Sequence, residues 1–206
     1  MATKINRTPG QTLEHVFGIT TRKAVSNILA MWDRANVNDV AAGRIWYREA
    51  GQYARDLADA FEVSAAHAAT VIAHLSPRAS WQANKDYAFA ACRGKHSRPT
   101  ACIGGNWDRA VAALETTLPL VTLRGNKTHA FALNILGDES AVTVDVWALR
   151  IALGDKYVRE TADGQLARVG AYDAIAHAYR LAAKRAGVSP AVMQATTWCV
   201  ARGRSD

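Results

Sequence analysis

Lys127 and Asp145 are two side chains that could do chemistry together, because the turn before one and the apolar run before the other can make them face each other. Asp145 lies eighteen residues after Lys127, and each opens a predicted helix: Lys127 after a turn with Gly125, Asp145 after the apolar run V142-T-V. A neutral lysine amine can attack an electrophilic carbon and form a Schiff base, while a carboxylate can accept a proton or stabilise developing positive charge. Each residue alone also has a structural explanation, because aspartate is a common N-cap and lysine a common surface charge.

A second group of chemically useful residues lies in the segment S76-P-R-A-S-W-Q-A-N-K85. Arg78, on a loop stiffened by Pro77, can fill the gap left by a displaced base or contact a phosphate; an exposed helix-capping arginine is the alternative. Trp81 can stack on a base or pack in the core. The Asn84 amide can both donate to and accept from a base edge, or bond a loop. The basic run 93–98 is either a solvated charge run or a phosphate contact.

Helices must position these residues, because Ala and Leu dominate and β-branched runs are short. The sequence therefore predicts an all-α fold. Nine helices are expected, at residues 20–35, 38–61, 64–75, 80–93, 106–115, 126–136, 145–153, 171–187 and 189–202. Residues 94–105 and 155–170 are rich in loop formers, and we expect both to be loops. Residues 1–18 show weak periodicity, and we expect them to be partly mobile.

Local signals mark several helix ends. Ser64, Ser80, Asn106 and Ser189 are residue types that cap helix N-termini, and Pro190 follows the last of them at the first helical position. Glycines stand where two helices should stop, at Gly154 and Gly187. Aromatic and polar side chains on the last two helices recur at helical spacing and are expected in the core: Tyr172, Tyr179, Gln194 and Trp198.

Size and composition restrict the function. A chain of 206 residues suits one domain or two small lobes that share a cleft. The net charge of +7 favours a polyanionic partner, nucleic acid first. Three cysteines are too few and scattered for a disulfide framework or zinc site, and the isolated His74 and His129 make a weak metal case. Asn134 is expected to bond a loop. Without a spanning run or signal peptide, we expect a cytoplasmic protein.

The two motifs together resemble the helix-hairpin-helix DNA glycosylase superfamily, particularly its endonuclease III-like members. There a hairpin L-P-G-V-G-x-K-T precedes a helix, and V-D-T-H-V-x-R follows at a fixed distance. This sequence matches the hairpin at Gly125, Lys127 and Thr128 and the second signature within V144-D-V-W-A-L-R150. The L-S-P segment with its following N-K pair resembles a second family motif. The resemblance covers about residues 64–153.

The resemblance implies a two-lobed all-α fold with a cleft between helical lobes, forming a single catalytic domain over residues 1–206. It implies that Lys127 and Asp145 face this cleft as the catalytic pair. Arg78 would enter the space left by a flipped base. The expected partner is double-stranded DNA with an extrahelical base, bound by a monomer without metal or cofactor. The residues expected to contact DNA or the base are Ser76, Arg78, Trp81, Asn84, Gly125, Asn126, Trp147 and Gln194.

Departures from the family pattern leave other functions open. Leu123 replaces the first hairpin glycine, and Val146-Trp147 replaces the family's Thr-His. The three cysteines cannot form the four-cysteine iron–sulfur cluster of endonuclease III. The C-terminal part looks like a compact group of phage and actinobacterial proteins.

The first function that we expect is a DNA glycosylase, with or without lyase activity. The main alternative resembles a phage branch, the alpha-glutamyl/putrescinyl thymine pyrophosphorylase-like proteins, and would attach an amine or amino acid to activated 5-hydroxymethyluracil. In that chemistry Lys127 would hold the pyrophosphate leaving group and Asp145 would accept a proton from the amine. A non-catalytic DNA-binding protein is the third possibility.

Overall fold

The computed structural model describes residues 7–94 and 98–203, and within them the chain forms helices and no strand. The all-α prediction is therefore confirmed. The eleven α-helices in these residues are α1 (Pro9–Phe17), α2 (Thr21–Trp32), α3 (Val37–Phe61), α4 (Ala65–Leu75), α5 (Trp81–Cys92), α6 (Gly104–Leu114), α7 (Asn126–Ile135), α8 (Val146–Leu153), α9 (Arg159–Leu166), α10 (Ala171–Ala186) and α11 (Pro190–Arg202). Two short 3-10 helices lie at Pro119–Thr122 and Gly154–Lys156. None of the described helices combines the length and apolar character needed to cross a membrane.

The chain divides into two compact units. Unit 1 comprises Met1–Arg44 and Val142–Ser205, and unit 2 comprises Ile45–Ala141. The first boundary falls inside α3, so that this helix contributes residues to both units. Helices α1, α2 and α8 to α11 belong to unit 1, and α4 to α7 belong to unit 2.

The core of unit 1 is built around α10, which contacts α1, α2, α8 and α11. Leu13, Ile28, Ile175 and Tyr179 are fully buried in it. A close helix contact joins the first part of α3 to α11 through Gly43. A methyl group at Gly43 would lie 2.1 Å from Thr196 Oγ1 and 2.7 Å from the Thr196 backbone nitrogen, so only glycine permits this approach.

The core of unit 2 is built around α4, which contacts α5, α6, α7 and the 3-10 helix 119–122. All residues from Ala68 to Leu75 are buried. A helix that is apolar on nearly every side must be enclosed by its neighbours, and these contacts enclose α4. Trp107 of α6 and Phe131 of α7 complete the cluster around it.

The nine predicted helices are all present. The hydroxyls of Ser64, Ser80 and Ser189 each accept the N–H group three residues further on, which confirms these N-caps. Gly154 and Gly187 are the C-cap residues of α8 and α10, as expected. Strong local signals therefore located most helix ends correctly.

Asn106 is not an N-cap, and this prediction is wrong. Helix α6 begins two residues earlier, at Gly104, with Ile103 in the N-cap position. The Asn106 side chain instead accepts a hydrogen bond from Arg109 at 2.6 Å. Helix α6 therefore opens with the glycine pair 104–105, and the next two residues, Asn106 and Trp107, are buried.

Two helices lie where none was predicted. The expected loop 155–170 contains α9, which packs on the unit 1 core through the buried Ala162. The first eighteen residues contain α1, whose start is a capping box: Thr8 accepts from the Gln11 N–H group, and the Gln11 side chain accepts from the Thr8 N–H group. The mobility expected at residues 1–6 lies outside the described residues.

Candidate functional site

Asp145 is the N-cap of α8, and both of its carboxylate oxygens are engaged. Oδ1 accepts the Ala148 N–H group at 2.8 Å. Oδ2 accepts the indole N–H group of Trp198, on α11, at 3.1 Å. The side chain is half-buried. The capping explanation for Asp145 is thus confirmed, but capping accounts for only one of its two oxygens.

Two tyrosines of α10 hold the chain on both sides of Asp145. The Tyr172 hydroxyl donates to the Val142 carbonyl oxygen at 2.8 Å and accepts the Val144 N–H group at 3.0 Å. The Tyr179 hydroxyl donates to the Ala148 carbonyl oxygen at 3.2 Å. Burial raises the pKa of both phenols well above its ordinary value, and the Asp145 charge adds to this effect. Both hydroxyls therefore remain donors at every physiological pH.

Two arginine–tryptophan pairs accompany Asp145 in unit 1. The Arg202 guanidinium lies 4.3 Å from the ring centre of Trp198, and that of Arg150 lies 5.5 Å from the ring centre of Trp147. Cations at this distance are attracted to the electron-rich face of an indole. In each pair the guanidinium therefore covers one face of the indole ring.

Gln194 is also in unit 1, one turn before Trp198 on α11, and it is buried as predicted. Tyr179 is fully buried, while Tyr172 and Trp198 are half-buried. The prediction of core positions is therefore confirmed for Gln194 and Tyr179. For Tyr172 and Trp198 the prediction is correct for the ring, which packs against the core, but it did not include the hydrogen bonds of the hydroxyl and the indole N–H group.

Lys127 is the second residue of α7, in unit 2, and is half-buried. Gly125 precedes the helix in the N-cap position, with an extended backbone at φ −88°, and provides no side-chain cap. A methyl group here would lie 3.2 Å from Thr128 Oγ1, whose hydroxyl donates to the Gly125 carbonyl oxygen at 3.0 Å. The exposed residues 125 and 126 thus leave the first N–H groups of α7 accessible to an anion.

The segment before α7 buries Leu123, which stands where the glycosylase motif that this sequence resembles has its first glycine. Leu123 is only 6 % exposed and packs in the unit 2 core. Leu118, which precedes the 3-10 helix, and Val121, which lies within it, are 64 % and 69 % exposed. This segment is therefore anchored by one buried leucine and presents two apolar side chains to solvent.

His74 anchors the same segment through Thr122. Its Nε2 atom lies 2.8 Å from Thr122 Oγ1, and the Thr122 hydroxyl donates to the Pro119 carbonyl oxygen at 2.7 Å. Because that hydroxyl has a single proton, His74 Nε2 must be the donor in the first bond. Burial lowers the pKa of His74 to about 4, with Arg109 adding to the effect. His74 is therefore a neutral, structural histidine, and no group of three metal-binding side chains occurs among the described residues.

Ser76 and Arg78 form a tight turn after α4. The Ser76 hydroxyl donates to the Ala73 carbonyl oxygen at 3.0 Å, and the Ala79 N–H group donates to the Ser76 carbonyl oxygen at 3.3 Å. Arg78 is exposed and has a left-handed backbone, with φ 63°. Pro77 followed by a residue at positive φ is the arrangement of a type II turn. A non-glycine residue at positive φ is uncommon, and among the described residues Glu62 is the other one.

Trp81 and Asn84 occupy the side of α5 that faces the unit 2 core. The Trp81 ring centre lies 5.6 Å from that of Trp46 and 6.1 Å from that of Tyr53, which favours the core interpretation of Trp81. Asn84 is 2 % exposed, and among the described residues its Oδ1 atom has no hydrogen-bond partner. Asn134, by contrast, donates to the carbonyl oxygens of Asp138 and Ala141, as predicted for a loop-bonding amide.

The residues predicted to form the site divide between the two units. Unit 2 contains Ser76, Arg78, Trp81, Asn84, Gly125, Asn126 and Lys127, and unit 1 contains Asp145, Trp147 and Gln194. The shared cleft for Lys127 and Asp145 stays a prediction. In the basic run 93–98, residues 95–97 lie outside the described residues. Arg98 donates to the Cys102 carbonyl oxygen beside the start of α6.

Comparison with known proteins identifies the family of this chain, and the function of that family is unknown. The model of a protein family, described as "Family of unknown function (DUF7178)", matches residues 11–205. The chain belongs to this family. No curated protein and no solved structure matches it.

Proposed function

We propose that the protein is a DNA base-processing enzyme, a glycosylase that acts on a flipped base, in which Lys127 is the nucleophile and Asp145 stabilises the reacting sugar. The resemblance of its two motifs to helix-hairpin-helix glycosylases supports this function. So does the net charge of +7, since a protein that binds DNA must neutralise phosphates.

The observation that carries the proposal is the environment of the Asp145 carboxylate. Two N–H donors, from Ala148 and Trp198, bind its two oxygens. This arrangement suits an ionised carboxylate, which accepts hydrogen bonds through both oxygens and has no proton to give. A fixed negative charge is what stabilises an oxocarbenium-like sugar as its bond to the base breaks.

The proposed reaction begins at the amine of Lys127. In its neutral form the amine attacks C1′ of the deoxyribose, and the bond between C1′ and the base breaks as the new C–N bond forms. The base leaves with the electron pair of the broken bond and takes up one proton, which balances the proton that the attacking nitrogen releases once it is bonded to C1′. The C1′–O4′ bond then breaks, O4′ keeps its electron pair and takes up the remaining N–H proton, and the nitrogen lone pair forms the C=N bond of the Schiff base between Lys127 and the sugar.

Two features of unit 2 support DNA binding by a flipped-base mechanism. Arg78 is exposed on a rigid turn, where it can fill the space that an extruded nucleotide vacates. The uncapped start of α7 offers N–H groups to a backbone phosphate close to Lys127 in sequence. We propose that the protein binds duplex DNA as a monomer.

Borohydride trapping tests the proposal. Incubation of the protein with DNA that contains modified or damaged bases, followed by reduction, should give a covalent adduct whose tryptic peptide carries the sugar on Lys127. Lys127→Ala should abolish the adduct. Lys184→Ala is the matched control, because Lys184 is an exposed lysine in the last turn of α10, and it should trap as the wild type does.

Mass spectrometry of the DNA separates the remaining functions. Release of a free base supports the glycosylase. A gain of mass that requires both an activated 5-hydroxymethyluracil and an amine would instead support the hypermodifying transferase. DNA binding with neither change, on every substrate tested, would leave only the non-catalytic function.

A further inference from the structure

Trp198 forms a hydrogen bond that the capping of α8 does not require. A helix N-cap needs one side-chain acceptor for the N–H group two or three residues further on, and Oδ1 of Asp145 provides it. The Trp198 indole reaches the second oxygen from 53 residues further along the chain. An indole has one hydrogen-bond donor and no acceptor, and the Trp198 indole donates to this carboxylate.

Trp198 is itself held in place. The Arg202 guanidinium, one helical turn later, covers its ring at 4.3 Å. Its chain neighbours Thr197 and Cys199 are buried, and the Thr197 hydroxyl donates to the Met193 carbonyl oxygen at 2.9 Å, which fixes this part of α11. Helix α11 also contacts α8 directly. The indole N–H group therefore has a defined position relative to the start of α8.

We propose that Trp198 is a positioning residue, whose indole N–H group sets the orientation of the Asp145 carboxylate, and that Arg202 holds the indole in place. The proposal rests on the proposed function, in which that carboxylate faces the reacting sugar. Without the indole bond, Oδ1 still caps α8, but Oδ2 loses the donor that Trp198 provides. Substrate binding need not change, whereas the chemical step loses an oriented charge.

Trp198→Phe removes the N–H group and keeps an aromatic ring for Arg202 and the core. The removed bond is a hydrogen bond to a charged group, and we expect the single-turnover rate of base release at saturating DNA to fall by about tenfold or more. The dissociation constant for DNA should stay within about twofold, since the bond contributes to orientation and not to phosphate binding. Trp32→Phe, a half-buried tryptophan packed on the same unit 1 core, is the control and should turn over normally.

A spectroscopic measurement tests the hydrogen bond without any substrate. In a ¹H–¹⁵N spectrum, Asp145→Asn should displace the indole N–H signal of Trp198 and leave that of Trp32 in place. Arg202→Gln, which keeps the indole N–H group, should slow turnover by less than Trp198→Phe does.

An unmoved Trp198 signal in Asp145→Asn would overturn the proposal, and so would a Trp198→Phe protein that folds and turns over as fast as the wild type. If the wild type processes no DNA, the proposed function fails. The indole signal then still decides whether Trp198 holds Asp145, so the two failures are distinguishable.

Discussion

Removing the Tyr172 hydroxyl should destabilise the segment that leads into Asp145. This hydroxyl bridges two backbone groups of an extended segment, since it donates to the Val142 carbonyl oxygen and accepts the Val144 N–H group. Both valines are 1 % exposed. Tyr172→Phe keeps the ring in the core and leaves a buried N–H group and a buried carbonyl oxygen without this partner.

The size of the effect follows from those two groups. A buried polar group that loses its partner costs about 1–3 kcal/mol, and a second group of the same kind adds to it. Some water entry beside the half-buried ring would offset part of the loss. We therefore expect the free energy of unfolding to fall by roughly 2–4 kcal/mol, with the upper end if no water reaches Val144.

Urea unfolding followed by circular dichroism measures this free energy, and Tyr157→Phe is the matched control. Tyr157 also packs on the unit 1 core, and no hydrogen bond joins its hydroxyl to another of the described residues. Tyr157→Phe should change the stability by less than about 0.5 kcal/mol. If Tyr172→Phe is as stable as Tyr157→Phe, the bridge does not secure this segment and our account of how Asp145 is placed is wrong.

Three further substitutions test other parts of the structure. Gly43→Ala should lower the stability by about 1–3 kcal/mol in urea unfolding because its methyl group would meet the Thr196 backbone, whereas Gly164→Ala, in open space on α9, should be neutral or stabilising. The pKa of His74 is about 4 in the folded protein and about 6.5 in the unfolded chain. As pH falls from about 6.5 to 4, the unfolded chain therefore binds a proton at His74 that the folded protein does not bind. Stability should therefore fall over that window by up to about 3 kcal/mol, and His74→Gln should flatten this part of the stability profile. In binding titrations Arg78→Ala should weaken affinity for DNA with an extrahelical base more than for intact duplex; equal losses would make Arg78 a phosphate contact.

Helices with strong terminal signals could be predicted from the sequence, and helices stabilised mainly by tertiary contacts could not. The serine caps at 64, 80 and 189 are local, and their helices were found within one or two residues. Helix α9 is short and polar, and its sequence R-E-T-A-D-G-Q-L has almost no apolar periodicity; among its described side chains Ala162 alone is buried. Helix α1 did carry a readable signal, the T8-P-G-Q11 capping box, which a search for periodicity alone overlooks.

In the candidate site, too, local features could be predicted from the sequence and contacts between distant residues could not. The position of Asp145 at the start of a helix could be predicted, because aspartate after an extended apolar run is a local pattern. Its partner Trp198 lies 53 residues away, and no local pattern relates the two. Helical spacing correctly placed the bodies of Trp198 and Tyr172 against a core. A tyrosine hydroxyl or indole N–H group beside a core also needs a hydrogen-bond partner. That requirement was the one sequence signal that Trp198 and Tyr172 bond to other parts of the chain.

Capping and chemistry at Asp145 do not exclude each other, because they use different atoms. A serine or asparagine could cap α8 as well as aspartate does, since each offers one acceptor to the Ala148 N–H group. Neither can also give the Trp198 indole a second, separate carboxylate oxygen. Asp145→Asn therefore divides the two roles: the cap should survive, while the charge and the indole bond are lost. A loss of about 1 kcal/mol or less in stability together with a large loss of base release would assign the second oxygen to function. A large loss of stability alone would make the Asp145–Trp198 pair a structural link between α8 and α11.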